Sequence, residues 1–450
     1  MKLSAFDLQD PPDLDGVRTC VHCGICLPQC PTYRLLGEEM DSPRGRVYLI
    51  RAAAEGRVGI TETFTRHLDL CLGCRACETA CPSGVPFGRL LEQTRSQIER
   101  RGSRPIAQRV LAWLVLGLFP YPDRLEPALS ALAFYQRLGL QRLVRASGVL
   151  RLAPRLAAME GLLPWLAGSS NPALPELIPA QGRRRGRAGL LLGCVQRFLF
   201  PRVNELTARL LSAAGYEVLI PRRQGCCGAL HLHAGRLDQA RRLARGVLAA
   251  FDQEVDLVVA NAAGCGSAMR EYPHWLRDDS RATVFSQAVR DISELLVDAE
   301  LPLQPMTATV TYHDPCHLAH GQRVRAQPRA LLKKIPQLKL VELPDSDLCC
   351  GSAGVYNLLE PEVADQLLEL KIRRIAETGA EIVVTGNPGC LLQIAKGCRE
   401  RGVPVELLHP VELLARALFS EGGPHPPQDS PRRDKDRALG HANEVWRDER

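Results

Sequence analysis

The sequence predicts a fold of class α plus α/β, in which an all-helical N-terminal module precedes two homologous α/β domains with parallel sheets. The cysteine-rich stretch "CVHCGICLPQCP" at 20–31 returns with the same spacing as "CLGCRACETACP" at 71–82. Beyond residue 187 the chain is duplicated, with Cys-Cys-Gly occurring once in each copy. In that half, short runs of Val, Ile and Leu alternate with helical segments, which is typical of a parallel sheet covered by helices.

The two N-terminal runs share the spacing Cys-x2-Cys-x2-Cys-x3-Cys-Pro. In this pattern three thiolates hold one face of a [4Fe-4S] cluster, and the fourth binds a neighbouring cluster. We therefore expect two [4Fe-4S] clusters with crossed ligation: Cys20, Cys23, Cys26 and Cys81 at one, and Cys71, Cys74, Cys77 and Cys30 at the other. Zinc also accepts four thiolates, but a zinc site does not explain two four-thiol runs that each end in proline.

Helices are predicted between and after these runs. Between them, apolar residues recur at helical intervals near Val47–Ile50 and again from Phe64 to Leu70, which predicts two helices. The stretch "FGRLLEQTRSQIERR" at 87–101 is also helical in pattern. Residues 1–103 are thus predicted to form an all-helical ferredoxin module with two clusters.

The second half contains an internal repeat, with expected domains at 187–300 and 306–420. Matching cysteines are displaced by 122 to 125 residues: Cys194, Cys226, Cys227 and Cys265 in the first copy, and Cys316, Cys349, Cys350 and Cys390 in the second. Most of them follow predicted strands, and loops at the carboxyl ends of parallel strands bind ligands. We therefore expect the four thiols of each copy to form a metal or redox site.

Buried cysteines can also act as small hydrophobic residues, which is the alternative for the repeat cysteines. Vicinal Cys-Cys-Gly at equivalent positions in two copies argues against it. Cys398 has no counterpart in the first copy, so we interpret it as an ordinary residue.

The region 104–186 is predicted to be a helical linker. It is rich in leucine with interspersed arginines, as amphipathic helices are, and ends near the basic run "RRRGR" at 183–187, which we interpret as a solvated connection. Its helices could pack on the two modules, or form a docking face for a partner subunit or a membrane surface. The polar, charged segment 421–450 is predicted to be disordered.

Composition excludes some functions and favours a cytoplasmic location. The net charge of +7 arises from 57 basic and 50 acidic residues that are scattered, so no nucleic-acid partner is expected. The N-terminus lacks an apolar signal segment, and the uncharged stretch 110–122 is too short to span a bilayer. In the reducing cytoplasm, seventeen cysteines indicate metal or redox chemistry rather than disulfides.

The repeat cysteines resemble the cysteine-rich CCG domain found in heterodisulfide reductases and in iron-sulfur subunits of flavin-linked dehydrogenases. The last cysteine of that family pattern is absent from both copies, where Ala268 and Gln393 stand instead. The resemblance implies one or two further iron-sulfur clusters in these domains, although the five-thiol clusters of heterodisulfide reductase are not expected with four thiols per copy.

The order of domains, with "GCCGAL" and "DLCCGSAG" in the repeats, resembles the iron-sulfur subunits of glycolate oxidase (glycolate dehydrogenase) over almost the whole chain. This resemblance implies an electron-transfer subunit. An FAD-binding partner would oxidise the 2-hydroxy acid, and the electrons would pass on to a quinone-type acceptor. One possible location of the subunit is then the inner face of the membrane. No Gly-x-Gly-x-x-Gly motif opens a helix, so we expect no flavin and no catalytic residue on this chain. Subunits serving glycerol-3-phosphate or lactate oxidation, and a thiol-disulfide reductase, are the alternatives.

Overall fold

The N-terminal module is helical, as predicted. The computed structural model describes residues 4–102, 104–152, 154–166, 174–252 and 254–419, and no strand occurs before residue 177 within these ranges. The predicted tail at 421–450 lies outside them. The helices of the module are Leu14–Arg18, Pro31–Leu36, Pro43–Ala54, Glu62–Asp69, Ala76–Ala80 and Phe87–Arg101, with a 3-10 turn at Glu39–Asp41.

The two helices expected between the cysteine runs are Pro43–Ala54 and Glu62–Asp69, and a third, Pro31–Leu36, precedes them. This third helix begins at the proline that follows Cys30, because the fixed φ of proline suits the first helical position. The apolar faces of Pro43–Ala54 and Glu62–Asp69 meet Phe87–Arg101 in a common core.

The linker contains four helices, Ile106–Leu118, Pro122–Arg137, Leu140–Ser147 and Pro154–Gly161, with a 3-10 turn at Val149–Leu152. Its last part belongs to the first sheet, since Leu177–Ile178 pairs with a later strand. The basic run at 183–187 is likewise only partly a connection, because Gly186–Leu191 is already a strand. None of the helices in the described ranges has the length and apolar character needed to cross a bilayer.

The first repeat is built on a five-stranded sheet. Its strands are β1 (Leu177–Ile178), β2 (Gly186–Leu191), β3 (Tyr216–Leu219), β4 (Leu257–Ala260) and β5 (Val289–Asp291). Their order is β1-β3-β2-β4-β5, with β1 antiparallel to β3 and the other pairs parallel. The helices are Val195–Leu199, Pro201–Ala213, Ala229–His233, Leu237–Ala250, Ala263–Arg270, Tyr272–Trp275, Arg281–Ala288 and Ile292–Leu296.

The second repeat has the same topology without the extra edge strand. Its strands β6 (Ala308–Tyr312), β7 (Leu338–Glu342), β8 (Ile382–Val384) and β9 (Glu406–Leu408) follow the order β7-β6-β8-β9, and every pair is parallel. This matches β3-β2-β4-β5 of the first sheet, as a duplication requires. The helices are Ala326–Lys333, Tyr356–Leu359, Pro361–Glu377, Pro388–Glu400 and Pro410–Phe419, with a π-helical turn at His317–Gly321.

The two repeats share one hydrophobic core. It contains buried residues of both sheets, such as Val218 and Val259 of the first and Val310 and Val384 of the second. Because strands of both repeats contribute to one apolar interior, the repeats form a single packed body, and the ends of their strands are held in a fixed relation.

Candidate metal centres

The cysteines of the N-terminal module line two adjoining cavities. The first cavity is lined by Cys20, Cys23, Cys26 and Cys81, together with Cys77. Cys23 is exposed and Cys20, Cys26 and Cys81 are half-buried, so this cavity lies near the surface. Burial nevertheless raises the pKa of Cys26 to about 11.

The second cavity is lined by Cys30, Cys71, Cys74 and Cys77. All four thiols are buried. The structure thus brings three cysteines of each run together with the fourth cysteine of the other run. Cys77 lines both cavities, so the two sites are neighbours.

A buried arginine lies beside the second cavity. Arg46 has no exposed surface, and its Nη1 donates to Thr32 Oγ1 at 3.1 Å and contacts Cys30 Sγ at 3.9 Å. Its Nη2 donates to Asp41 Oδ1 at 3.4 Å. Burial opposes its charge, but Cys71, Cys30 and Asp41 raise its pKa, so the guanidinium stays cationic. Sequence reasoning missed this residue, because one arginine among many carries no spacing signal.

The four thiols of the first repeat form a connected row. Cys227 interacts with Cys226 and Cys265, and Cys226 in turn with Cys194. Contacts with Cys194 and Cys227, together with burial, raise the pKa of Cys226, whereas the contacts of Cys227 with Cys226 and Cys265 lower the pKa of Cys227. Tyr272 donates its hydroxyl hydrogen to the carbonyl of Cys227 at 3.0 Å.

The second repeat has the same row of thiols. Cys349 interacts with Cys316 and with Cys350, and Cys350 with Cys390. Contact with Cys349 and burial raise the pKa of Cys316 well above its usual value. Every cysteine named as a site residue in the repeats is therefore placed beside its expected partners.

The glycine of each Cys-Cys-Gly is required by geometry. Gly228 and Gly351 have φ of +88° and +87°, in the left-handed region that favours glycine. A Cβ at Gly228 would lie 2.9 Å from the carbonyl oxygen of Ala240, and one at Gly351 would lie 2.5 Å from that of Ala364. These glycines let the paired cysteines turn tightly against a helix.

The remaining positions of interest have structural roles. Cys398 is buried in the core cluster that holds Ile372 and Ile394, where burial raises its pKa to about 12. Ala268 is buried in helix Ala263–Arg270. Gln393 is also buried, and its Oε1 accepts a hydrogen bond from Asn357 Nδ2 at 2.9 Å.

The second cavity lies against the second repeat. Cys74 of the module packs in one buried cluster with Cys316 and Cys349. Tyr356 strengthens the contact, since its hydroxyl donates to the carbonyl of Leu70 at 3.1 Å. Three sites are therefore contiguous: the first cavity, the second cavity and the thiol row of the second repeat.

The side chain of Asn387 lies between the two thiol rows and makes a hydrogen bond on each side. Asn387 Oδ1 accepts from the backbone N–H of Gly264 at 3.3 Å, next to Cys265, and its Nδ2 donates to Cys390 Sγ at 3.5 Å. This amide was not anticipated from the sequence, because nothing in the pattern shows that the first repeat lies against it.

The residues present fit [4Fe-4S] clusters in the two cavities. Each cavity is surrounded by four thiols, the donors that such clusters take. Among the described residues, the one group of metal-binding side chains whose donor atoms lie within 4.8 Å of one another is elsewhere, in the second repeat. No three of the N-terminal thiols lie that close together, so they are spaced for a group larger than a single zinc ion, as a [4Fe-4S] cluster is.

Family models match most of the chain. Residues 16–85 match a 4Fe-4S dicluster domain, residues 107–163 the linker region of glycolate oxidase iron-sulfur subunits, and residues 188–270 and 310–395 a cysteine-rich domain. The chain is 39% identical over 432 residues to the probable glycolate oxidase iron-sulfur subunit of Bacillus subtilis, covering 93% of this chain and 97% of the relative. It belongs to the family of glycolate oxidase iron-sulfur subunits.

Two further relatives share most or about half of the chain. The glycolate oxidase iron-sulfur subunit of Escherichia coli is 33% identical over 423 residues, or 90% of this chain and 95% of the relative. Lactate utilization protein A of Oceanobacillus iheyensis is 31% identical over 245 residues, covering 53% of this chain and 99% of the relative. The chain is thus an iron-sulfur electron-transfer subunit with an N-terminal dicluster domain, and as a subunit it has partner chains.

Proposed function

We propose that this chain conducts electrons within a flavin-dependent 2-hydroxy-acid dehydrogenase complex that oxidises glycolate to glyoxylate. The substrate would be oxidised on an FAD-binding partner, and the electrons would leave to a quinone-type acceptor. The observation that carries the proposal is the full-length similarity to glycolate oxidase iron-sulfur subunits, combined with thiol sites that adjoin one another.

The proposed ligands are the cysteines already described, four at each N-terminal cavity and four in each repeat. Thiolate-ligated iron-sulfur clusters supply one-electron chemistry, which a flavin that has taken two electrons requires. The chain itself provides the thiols, buries those of the second cavity, and places the cationic Arg46 beside them. Positive charge near a cluster favours the reduced form.

The exposed first cavity is a suitable point for exchange with a partner. Cys23 is exposed, whereas the thiols of the second cavity and most of those in the repeats are buried. A site at the surface can approach an external donor or acceptor, and the buried sites are protected from solvent.

The linker offers a docking surface for the flavin subunit. Of twenty large apolar side chains that are exposed in the described residues, twelve lie between 106 and 165. They include Trp113 and Leu143, each 65% exposed. Apolar patches of this kind mark interaction sites. We name the exposed apolar residues of 106–165 the linker surface, and we assign it to the flavin subunit because the chain belongs to a family of complex subunits.

We further propose a cytoplasmic location at the inner face of the membrane, where a quinone-type acceptor is accessible. The arginines of the linker, such as Arg109 and Arg142, would favour an anionic surface. Failure of the isolated chain to pellet with anionic vesicles would remove the membrane part of this proposal.

Lactate oxidation is the second candidate, favoured by the similarity to lactate utilization protein A over about half of the chain. A thiol-disulfide reductase is less well supported, because Ala268 and Gln393 replace the cysteines that complete the heterodisulfide reductase pattern.

The test uses the chain purified without air and mixed with its flavoprotein partner. Alone, the chain should not oxidise glycolate. With the flavoprotein, glycolate should bleach the iron-sulfur absorption faster than lactate or glycerol-3-phosphate does. Turnover by the isolated chain, or no bleaching in the mixture, would overturn the proposal.

Two cysteine variants make the test specific. Cys30→Ser removes a thiol of the second cavity, and should slow glycolate-dependent bleaching at least about tenfold because a cluster ligand is lost. Cys398→Ser also removes one buried thiol, but one that lines neither N-terminal cavity, and should bleach at the normal rate. Equal bleaching rates in the two variants would show that electron transfer does not need Cys30.

A further inference from the structure

One buried position near the leading cysteine is apolar in the first repeat and a histidine in the second. Three residues before Cys194 stands Leu191, and three residues before Cys316 stands His313. Both are buried, with 2% and 1% of their surface exposed. Leu191 packs with apolar neighbours. The ring nitrogens of a buried imidazole need polar partners, whereas a leucine side chain at the equivalent position needs none.

His313 lacks such a partner within the chain. Neither ring nitrogen has a hydrogen-bond partner among the described residues. The carbonyl of Ser346 interacts with the ring but does not meet hydrogen-bond geometry. A buried polar group without a partner costs about 1–3 kcal/mol, so an unpaired imidazole in a native core calls for a bound group.

The ring instead lies against two thiols. A nitrogen of His313 and the sulfurs of Cys350 and Cys390 all lie within 4.8 Å of one another, and all three residues are buried. Metal–sulfur bonds of about 2.3 Å and metal–nitrogen bonds of about 2.0–2.1 Å place the donors of a tetrahedral metal about 3.6–3.8 Å apart. A small contraction is enough for the three atoms to share one metal.

We propose that His313 is a nitrogen ligand of a metal bound by Cys350 and Cys390, so that the two repeats hold chemically different centres. Imidazole and thiolate together select a soft metal, either iron of an iron-sulfur centre or zinc. The inference rests on the proposed ligand role of the repeat cysteines, and it adds to them a donor that the first repeat lacks.

The surroundings of the site support this assignment. Gln393, at the position of the missing cysteine, is already engaged with Asn357 and leaves a ligand position to fill. Asn387 donates to Cys390 Sγ at 3.5 Å, as outer groups do around metal ligands. The Ser346 carbonyl is a suitable acceptor for the second ring N–H of a ligating histidine.

The nitrogen donor also has a functional consequence. A neutral imidazole in place of a thiolate raises the reduction potential of an iron-sulfur centre. Compared with a thiolate at the same position, His313 would therefore make an iron centre in the second repeat attract electrons more strongly, and His313→Cys tests that contrast.

The experiment starts with metal analysis of the intact chain, purified anaerobically from cells fed ¹⁵N-histidine or ordinary histidine. If the chain holds more iron than the roughly eight atoms of two [4Fe-4S] clusters, the nitrogen ligand is measured by pulsed electron paramagnetic resonance. If it holds zinc, the nitrogen ligand is measured by X-ray absorption at the zinc edge. We expect a directly bound nitrogen in either case, and with iron its coupling should change with the isotope.

Three variants decide the assignment. His313→Leu copies the first repeat and should lose the nitrogen signal, whereas His317→Leu, a buried histidine whose Nδ1 lies 3.6 Å from Cys316 Sγ, should keep it. Loss of the N-terminal clusters would show that His313→Leu does not fold. In that case His313→Cys is used, because it retains a donor at this position. The metal should then stay, the nitrogen signal should vanish, and the reduction potential of an iron centre should fall.

The outcomes separate the possible failures. No metal beyond the N-terminal clusters, or a metal with sulfur ligands alone, would overturn the proposal, as would a nitrogen signal that persists in His313→Cys. Glycolate-dependent bleaching measured on the same samples reports the proposed function independently, because it depends on the N-terminal sites and the flavoprotein.

Discussion

Arg46 shows how one buried charge can set the properties of a metal site. Its guanidinium contacts Cys30 Sγ and pairs with Asp41, and its Nε donates to the carbonyl of His67 at 2.7 Å. Because it is fully buried, little water screens its field at the second cavity. The same side chain therefore fixes the position of Cys30 and stabilises negative charge on the thiolates.

Replacing Arg46 by methionine should lower the midpoint potential of the second N-terminal centre by on the order of 100 mV, since a unit charge several ångströms away is removed at an effective dielectric constant near 20. Redox titration followed by electron paramagnetic resonance measures this shift. Arg51→Met is the matched control, because Arg51 lies on the same helix and pairs with Glu55 at the surface. An equal shift in both variants would contradict the prediction.

The sites differ in how far their residues could be predicted. The sixteen cysteines proposed as ligands have a spacing signal, because the N-terminal runs repeat one short spacing and the two copies of the repeat carry cysteines at matching positions. His313 has a weaker signal, visible only when the copies are aligned and a polar residue is found opposite Leu191. Arg46 and Asn387 have none, since their roles depend on which segments meet in three dimensions.

The elements themselves were predicted where their patterns are strong. The helix at 87–101 and six strands of the repeats, including β2 and β8, are found within a few residues of the apolar runs that predict them. The short strands β1, β5 and β9 were missed: β1 has only two residues, and the three residues of β5 and of β9 include charged side chains, whereas β8 is entirely Ile and Val. Their place at or near the sheet edges is decided by packing rather than by propensity.

The linker helices retain exposed apolar residues that the body of the protein does not cover. Trp113 belongs to Ile106–Leu118 and Leu143 to Leu140–Ser147. A chain that folds alone would gain from replacing such residues, so their exposure is best explained by a partner that covers them.

Trp113→Glu or Leu143→Glu should weaken binding to the flavin subunit at least about tenfold, because a charge would be buried in an apolar contact. Val284→Glu is the control, since Val284 is 72% exposed on a helix of the first repeat. Titration calorimetry with the flavoprotein measures the three affinities. Unchanged affinity in both linker variants would show that the linker surface does not contact the flavin subunit.

At the scale of the whole molecule, ion pairs join the N-terminal module to the first repeat. Glu271 accepts from Arg75 at 3.2 Å and from Arg89 at 3.0 Å. Arg95 extends the contact inside, donating to the carbonyls of Cys71 and of His233. The loop that carries Cys71 is therefore held by the same side chain that touches the first repeat.

A buried histidine joins the two repeats and makes their contact sensitive to acid. His409 Nε2 donates to the carbonyl of Asn261 at 2.7 Å, and its Nδ1 accepts from the N–H of Val411 at 3.2 Å. Burial lowers the pKa of His409 to about 4 from an ordinary 6.5. The folded protein therefore binds this proton less readily than the unfolded chain does.

Stability should consequently fall as the pH drops from about 6.5 towards about 4, by about 2 kcal/mol at pH 5 from this residue alone. His409→Gln cannot take up the proton and should lose that part of the pH dependence. Urea unfolding at pH 7 and pH 5 on both proteins measures the difference. The same slope in both would show that His409 does not titrate on unfolding.

The contact between Cys74 and the thiols of the second repeat has a consequence for biogenesis. Cys74, Cys316 and Cys349 are packed together with Tyr356 in one buried cluster, so a lining residue of the second cavity is covered by residues that leave the ribosome some 240 positions later. Iron and sulfide have their freest access before that cover forms. Maturation factors would therefore act most easily on the nascent N-terminal module, and replacing a lost inner cluster would require the finished subunit to open.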